Sequence, residues 1–165
     1  MSVLLTAERA AELVEMPKRL VKATELSWHF VPAPVPMGKQ RPGKKKPRFQ
    51  NAYSMKAHLI EVNGRTRFLL TGNKNGSFSF TLTWGDYPIA RIDCGARHRL
   101  PREPGEPDRF VYGPHVHYYV PGYGLEHAYA TTEYSYGDAN AALSFFLRHC
   151  NVVNPPPVQE VLGLR

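Results

Sequence analysis

Residues 91–119 of this 165-residue chain read RIDCGARHRLPREPGEPDRFVYGPHVHYY. From Ile89 to Cys94, apolar and polar side chains alternate with the two-residue period of a β-strand that buries one face. The stretch from His115 to Val120 alternates in the same way. If these two strands are antiparallel neighbours, their polar faces coincide. The shared polar surface then carries Arg91, Asp93, His115, His117 and Tyr119.

The segment between these strands is rich in proline and glycine, which disfavour regular strand pairing. We therefore interpret residues 95–113 as a long connecting loop. His98 and Arg99 lie on this loop, and we expect them at the edge of the polar surface.

Upstream of this region, residues 53–94 predict a meander of about four strands. Asn63-Gly64 is a strong signal for a tight hairpin turn, and Asn73-Lys74-Asn75-Gly76 predicts a second turn. Ser77 to Trp84 shows the cleanest alternation in the chain. A last strand is expected from Glu126 to Glu133.

Helices are predicted at both ends of the chain. Thr6 is a good N-cap for a helix whose apolar stripe continues to Val21, with Pro17 as a kink or the start of a second short helix. Lys18 lies among the basic residues expected toward the C-terminal end of this helix, where they complement its dipole. Gly137-Asp138 begins a second helix that continues to about His149.

This order of elements predicts an α+β fold with a mainly antiparallel sheet of about five to seven strands. The N-terminal and C-terminal helices cover one face, and the other face stays open and carries the polar surface. Residues 1–165 are expected to form a single domain, with 151–165 as a tail.

The chain is basic, with a formal net charge of +7, which favours an anionic partner such as nucleic acid. Residues 37–50 are rich in proline, glycine and lysine and predict a mobile loop. We expect either a solvated, solubilising loop or a binding module, such as a phage or mobile-element inhibitor, that contacts nucleic acid or a protein through this loop. Its basic residues are Lys39, Arg41, Lys44, Lys45, Lys46 and Arg48.

Neither a signal peptide nor an apolar run of about 20 residues is visible, so we expect a cytoplasmic protein without membrane contact. Cys94 and Cys150 are expected to be free thiols.

Clustered histidines and arginines suit RNA cleavage without a metal or other cofactor. Such cleavage requires a base, an acid and cations that stabilise the phosphate. His115 and His117 would serve as base and acid, with His98 as an alternative. Arg91 and Arg99 would clamp the phosphate, and Asp93 would orient a histidine or pair with Arg91. Substrate contacts are expected from Tyr119 or Tyr123, by a hydrogen bond or by stacking on a base.

Two other interpretations remain open at this point. His115 and His117 point to the same side of their strand and could bind a metal with Asp93 or Glu126 as the carboxylate ligand. Alternatively, the same residues form a non-catalytic binding surface or ordinary packing contacts, with Arg91–Asp93 as an ion pair on the sheet.

Several motifs resemble a family of small, uncharacterised proteins of prokaryotes and phages, over about residues 5–157. These motifs are Met16-Pro17-Lys18, Arg91-Ile92-Asp93, His98-Arg99-Leu100-Pro101, Pro114-His115-Val116-His117 and the closing Phe146-Leu147 with Cys150-Asn151.

Residues 91–150 are also remotely similar to TumE-like toxins of toxin–antitoxin pairs. This resemblance implies a cytoplasmic toxin that attacks or binds RNA, or a mobile-element protein that acts on host machinery, with an antitoxin or host protein as partner. The chain departs from that pattern in the long 95–113 segment and the basic 37–50 segment.

Overall fold

The structure of the chain is a computed structural model that describes residues 4–22, 25–34, 49–75 and 77–157. Within these ranges it contains two helices and eight strands. In chain order they are α1 (Ala7–Glu15), β1 (Lys18–Leu20), β2 (His29–Pro34), β3 (Phe49–Glu61), β4 (Arg67–Asn75), β5 (Ser77–Trp84), β6 (Tyr87–Arg99), β7 (Phe110–Val120), β8 (Gly124–Ala130) and α2 (Ala139–His149).

All named strands belong to one antiparallel sheet with the order β1-β3-β4-β5-β6-β7-β8. β2 also pairs with β3, beside the stretch that pairs with β1. The predicted α+β fold is therefore confirmed. The sheet has one strand more than the expected range, because the short β1 forms where the first helix was expected to continue.

Both helices pack on the same face of the sheet. Their buried side chains meet the inward residues of the central strands; Phe80 of β5, for example, stacks on Phe146 of α2 with ring centroids 6.3 Å apart. Leu13 of α1 and Ile92 of β6 are fully buried in the same core. The alternation that predicted one buried face per strand explains this arrangement.

The first helix is shorter than predicted because it ends before Pro17, and the expectation that it continues to Val21 was wrong. Lys18 follows in β1 and is fully buried. Its ammonium group donates to the carbonyl oxygens of Val14, Met16 and Cys150 at 2.8, 2.7 and 2.9 Å. One side chain thus caps the C-terminal ends of both helices.

The connection between β6 and β7 differs most from the prediction. β6 continues through Arg99 and β7 begins at Phe110, so the loop expected at 95–113 is shorter and lies at 100–109, and His98 and Arg99 belong to β6. Gly95 lies opposite Gly113, whose φ is +74°, and the register shifts between Gly95 and Arg97. Such a bulge bends a strand pair.

Beyond this bend the strand pair, here called the arm (residues 97–112), turns back over the open face of the sheet. Seven residues of straight strand would place His98 about 23 Å from Arg91. Instead, the His98 ring lies 4.6 Å from that of His117, the cross-strand partner of Arg91. The arm therefore lies over the part of the polar surface that contains His117.

Some expectations fall outside the described ranges or were shifted in position. The predicted basic loop lies mostly outside the described residues, except that β3 already begins at Phe49. The turn at Asn63-Gly64 joins β3 and β4 as predicted, whereas β4 extends through Asn75, so the second turn was placed too early. In the described ranges no helix has the length and apolar character needed to cross a membrane. Cys94 and Cys150 are both free and buried.

Candidate functional site

Two histidines are buried on the open face, under the arm. His115 and His117 are each 2% exposed, although both point away from the helix-covered core. The register pairs Asp93 with His115 and Arg91 with His117. The structure therefore brings together five residues that the sequence placed on one surface: Arg91, Asp93, His98, His115 and His117.

Each of the three imidazoles is oriented by a backbone carbonyl. Nδ1 of His115 lies 2.7 Å from the Gly113 oxygen, and Nδ1 of His117 lies 2.7 Å from the Leu125 oxygen. Nε2 of His98 lies 2.7 Å from the oxygen of Glu126. A carbonyl oxygen only accepts, so each of these nitrogens carries the proton. The opposite nitrogens of His98 and His115 are then available to a ligand, whereas Nε2 of His117 lies 3.0 Å from Oδ2 of Asp93.

The three rings have the spacing expected around one metal ion. Their possible ligand atoms all lie within 4.8 Å of one another, and the ring centroids are 4.6, 4.8 and 5.5 Å apart. Around a tetrahedral zinc, three imidazole centroids would be separated by about 5 Å. Metal-ligating histidines also typically donate their other N–H to a carbonyl or carboxylate. The ligand nitrogens of a tetrahedral zinc lie about 3.3 Å apart, so ligand atoms within 4.8 Å of one another fit a three-histidine metal site after a small movement of the side chains.

His115 provides a further indication of a missing ligand. Its Nε2 is buried and has no hydrogen-bond partner among the described residues. The nearest carboxylate oxygen, Oδ2 of Asp93, is 3.7 Å away, which is too long for a hydrogen bond. A buried polar atom without a partner costs about 1–3 kcal/mol, so this position suits an atom that binds there.

Asp93 lies beside the histidine cluster and is held by charged partners. Arg91 donates through Nε to Oδ1 at 3.0 Å and lies 2.8 Å from Oδ2 through Nη2, while Nε2 of His117 lies 3.0 Å from Oδ2. Burial by itself raises the pKa of Asp93, but the imidazoles of His115 and His117 and the Arg91 guanidinium hold it well below its usual range. The carboxylate is therefore ionised.

A cleft of about 350 Å³ opens beside this cluster. His98, His115 and Asp93 line one side, and Arg91 and Arg97 supply positive charge. The remaining polar lining comes from the neighbouring strands β4 and β5, through Asn73, Ser77 and Ser79. The cleft thus combines candidate metal ligands with groups that suit an anion.

Sequence reasoning missed two residues of this region. Arg97 was assigned to a loop because residues 95–113 are rich in proline and glycine, yet it lines the cleft, with its guanidinium 4.9 Å from the Phe110 ring centroid. Tyr134 was not among the predicted site residues. Its buried hydroxyl lies 2.9 Å from the carbonyl oxygens of both Asp93 and His115. Neither residue carries a local sequence signal for these contacts.

The other predicted substrate contacts do not line the cleft. Arg99 pairs with Asp108 inside the arm at 2.7 Å. Tyr119 is half-buried and packs against the core, and Tyr123 contacts the His127 ring edge-on at 5.2 Å. Glu126 contributes its carbonyl to His98, and its side chain is exposed. The predicted contacts from Lys39 to Arg48 lie outside the described residues.

Comparison with known proteins supplies a family but no activity. The model of a family of unknown function, DUF6978, matches residues 5–152. The chain belongs to this family. The match includes every described residue of the cluster and the arm, and it supports the resemblance to an uncharacterised family. No curated protein and no solved structure matches the chain.

Proposed function

We propose that this protein is a metal-dependent phosphodiesterase that acts on RNA, with His98, His115 and His117 as the metal ligands. The observation that carries the proposal is the fixed orientation of three imidazoles around the buried, unpartnered Nε2 of His115. Core packing gives no reason for such an arrangement. A transition metal such as zinc satisfies it, since neutral imidazole nitrogen is a preferred ligand.

A divalent metal at this position would act as a Lewis acid toward water and toward a phosphoryl oxygen. Asp93, fixed by Arg91, is placed to orient His117 or to complete the ligand set. Arg97 and the outer side of Arg91 would hold the phosphate in the cleft. This assignment differs from the metal-free mechanism that the sequence favoured, because three rings converge where that mechanism requires only a base and an acid.

RNA is proposed as the substrate on the basis of charge and resemblance. The chain carries a formal net charge of +7, and two arginines line the cleft. The similarity of residues 91–150 to TumE-like toxins supports a toxin-like role in the cytoplasm, with an antitoxin or host protein as a further partner. These assignments are tested together with the chemistry.

The test combines metal titration with RNA cleavage by the purified protein. We expect zinc to bind with a stoichiometry of one and single-stranded RNA to be cleaved only when metal is present. The double variant His115→Ala/His117→Ala should lose both properties. The control variant His127→Ala changes a histidine of β8 outside the cleft and should retain both. Absence of metal binding by the unaltered protein would overturn the proposal.

A metal-free ribonuclease is the second candidate, and the contact between His117 and Asp93 favours it. Both nitrogens of His117 face acceptors, an arrangement that suits a doubly protonated ring able to act as an acid. Cleavage that persists in EDTA and is lost in the double variant would select this candidate. Salt-sensitive RNA binding without cleavage would instead indicate a binding module.

A further inference from the structure

The open face of the sheet carries a row of polar side chains that leads directly to the histidine cluster. Five neighbouring strands contribute one residue each, and the register aligns them across the sheet. In order, this first row consists of Lys56, Thr71, Thr81, Arg91 and His117. It crosses four interstrand spacings and is therefore about 19 Å long.

A second row lies beside the first, two residues along each strand. Its members are Ser54, Asn73, Ser79, Asp93 and His115. No register shift interrupts either row, because the irregularities of β5, β6 and β7 lie elsewhere. We call the two rows together the track.

The side chains of the track are suited to the backbone of a nucleic acid. Lys56 and Arg91 place an exposed positive charge near each end, and the positions between them are hydroxyl or amide groups. Asp93, at the histidine cluster, is the only acidic residue of either row. Small hydroxyl and amide side chains contact phosphate and sugar oxygens without reading the bases.

The polar groups between the two ends also lack a structural role. Among the described residues, the side chains of Thr71, Ser79 and Thr81 have no hydrogen-bond partner within the protein, whereas Asp93 and the three histidines are engaged. A sheet face that serves only solubility would more often carry mixed charges. These side chains are available to a ligand that lies on the sheet.

We infer that a single strand of RNA binds across the β-strands along the track, from Lys56 to the histidine cluster. This inference rests on the proposed function and specifies how that substrate is held. The cleft of about 350 Å³ includes Asn73, Ser79, Asp93 and His115 of the second row and has the size of a small-ligand pocket, so one nucleotide of the bound strand fits there. The arm closes the track beyond the cluster, and a phosphate therefore arrives beside Arg91 and Arg97.

The test is RNA binding by the full chain in EDTA, where cleavage by the proposed mechanism is off. The probe is a fluorescent single-stranded RNA oligonucleotide, and its anisotropy reports affinity at several salt concentrations. Lys56→Glu should weaken binding severalfold, and Lys56→Ala should lower the salt-dependence slope by about 0.7. Arg148→Glu makes the same charge change at an exposed position of α2 on the helix-covered face and should leave affinity unchanged.

A second measurement does not depend on affinity. A photo-cross-linker attached to Lys56→Cys should capture the RNA, and one attached to Arg148→Cys should not; both native cysteines are buried. Equal effects of the Lys56 and Arg148 changes, equal capture, or no RNA binding would overturn the track. If binding depends on Lys56 but no cleavage is found with metal, the track stands and the phosphodiesterase proposal fails. If long RNA is cleaved with metal equally well by the unaltered protein and by Lys56→Glu, the phosphodiesterase proposal stands and the track fails.

Discussion

Lys18 and His115 are both buried polar residues, and they differ in how completely their nitrogen atoms are satisfied. The Lys18 ammonium group donates to three carbonyl oxygens within 2.9 Å. His115 donates through one ring nitrogen, while the other is buried without a hydrogen-bond partner in the described part of the chain. The Lys18 ammonium group therefore stabilises the fold, whereas Nε2 of His115 is free to bind a ligand.

The surroundings of the two residues support the same distinction. Lys18 lies between the ends of α1 and α2, where its ammonium also contacts the Phe68 ring at 4.7 Å, and it does not line the cleft. His115 is on the open face, lines the cleft and has two other imidazoles beside it. Burial alone therefore does not identify a functional polar residue. The state of its hydrogen bonds does.

The largest expected effect is on stability, from Lys18→Met. This change removes the common donor of three carbonyl oxygens and should lower the free energy of unfolding by on the order of 3 kcal/mol. Urea denaturation measures the loss. Lys22→Met, at an exposed position four residues away, should change stability by less than about 0.5 kcal/mol. Lys18→Met that remains as stable as the unaltered protein would contradict a structural role for the ammonium group.

The second largest expected effect is stabilisation of the protein by zinc bound at His115. Zinc at about one hundred times its dissociation constant should stabilise the folded protein by about 2.7 kcal/mol, since binding favours the folded state. Thermal denaturation with and without zinc measures this gain. His115→Ala should abolish the gain, whereas Lys18→Met should preserve it at a lower baseline. A zinc effect of equal size in His115→Ala would remove this residue from the ligand set.

Sequence alone predicted the surroundings of His115 better than those of Lys18. The two-residue period and the pairing of β6 with β7 placed Arg91, Asp93, His115 and His117 on one face, and the structure shows that arrangement. His98 was known as a neighbour in sequence, but its position over His117 depends on the bend at Gly95 and Gly113. A bend of this kind is a tertiary feature, and the alternation simply stops there.

The sequence carried little signal for the structural contacts of Lys18. Lys18 was expected among basic residues that complement the dipole at the C-terminal end of a helix, and it does contact carbonyl oxygens there. Its complete burial depends on Cys150, which lies 132 residues further along the chain. Tyr134 is similar, since its contacts with β6 and β7 join segments that no local pattern relates.

Tyr134→Phe should have a smaller effect, which includes both a loss of stability and a loss of zinc affinity. The hydroxyl lies 2.9 Å from the backbone oxygens of Asp93 and His115, so its removal should cost about 1 kcal/mol of stability. Because His115 is a proposed ligand and Asp93 lies beside the cluster, zinc affinity should fall by up to about tenfold, as for other outer contacts of a metal site. Isothermal titration with zinc measures the loss. Unchanged affinity with reduced stability would make Tyr134 purely structural.

The smallest expected effect is a pH dependence of the stabilisation by Lys18. Burial lowers the pKa of Lys18 to about 8, whereas the nearby Cys150 partly offsets this effect. In the unfolded chain the pKa of a lysine is about 10.4, so between these values the unfolded state binds more protons and stability rises with pH. The stability difference between the unaltered protein and Lys18→Met should therefore grow from pH 7.5 to 9.5 in urea denaturation.

Burial raises the pKa of the Cys150 thiol to about 12, which adds an opposite dependence of stability on pH. This contribution largely cancels in the difference because both proteins contain Cys150. A difference that shrinks over this range would mean that the three carbonyl oxygens stabilise the charged ammonium more strongly than burial destabilises it.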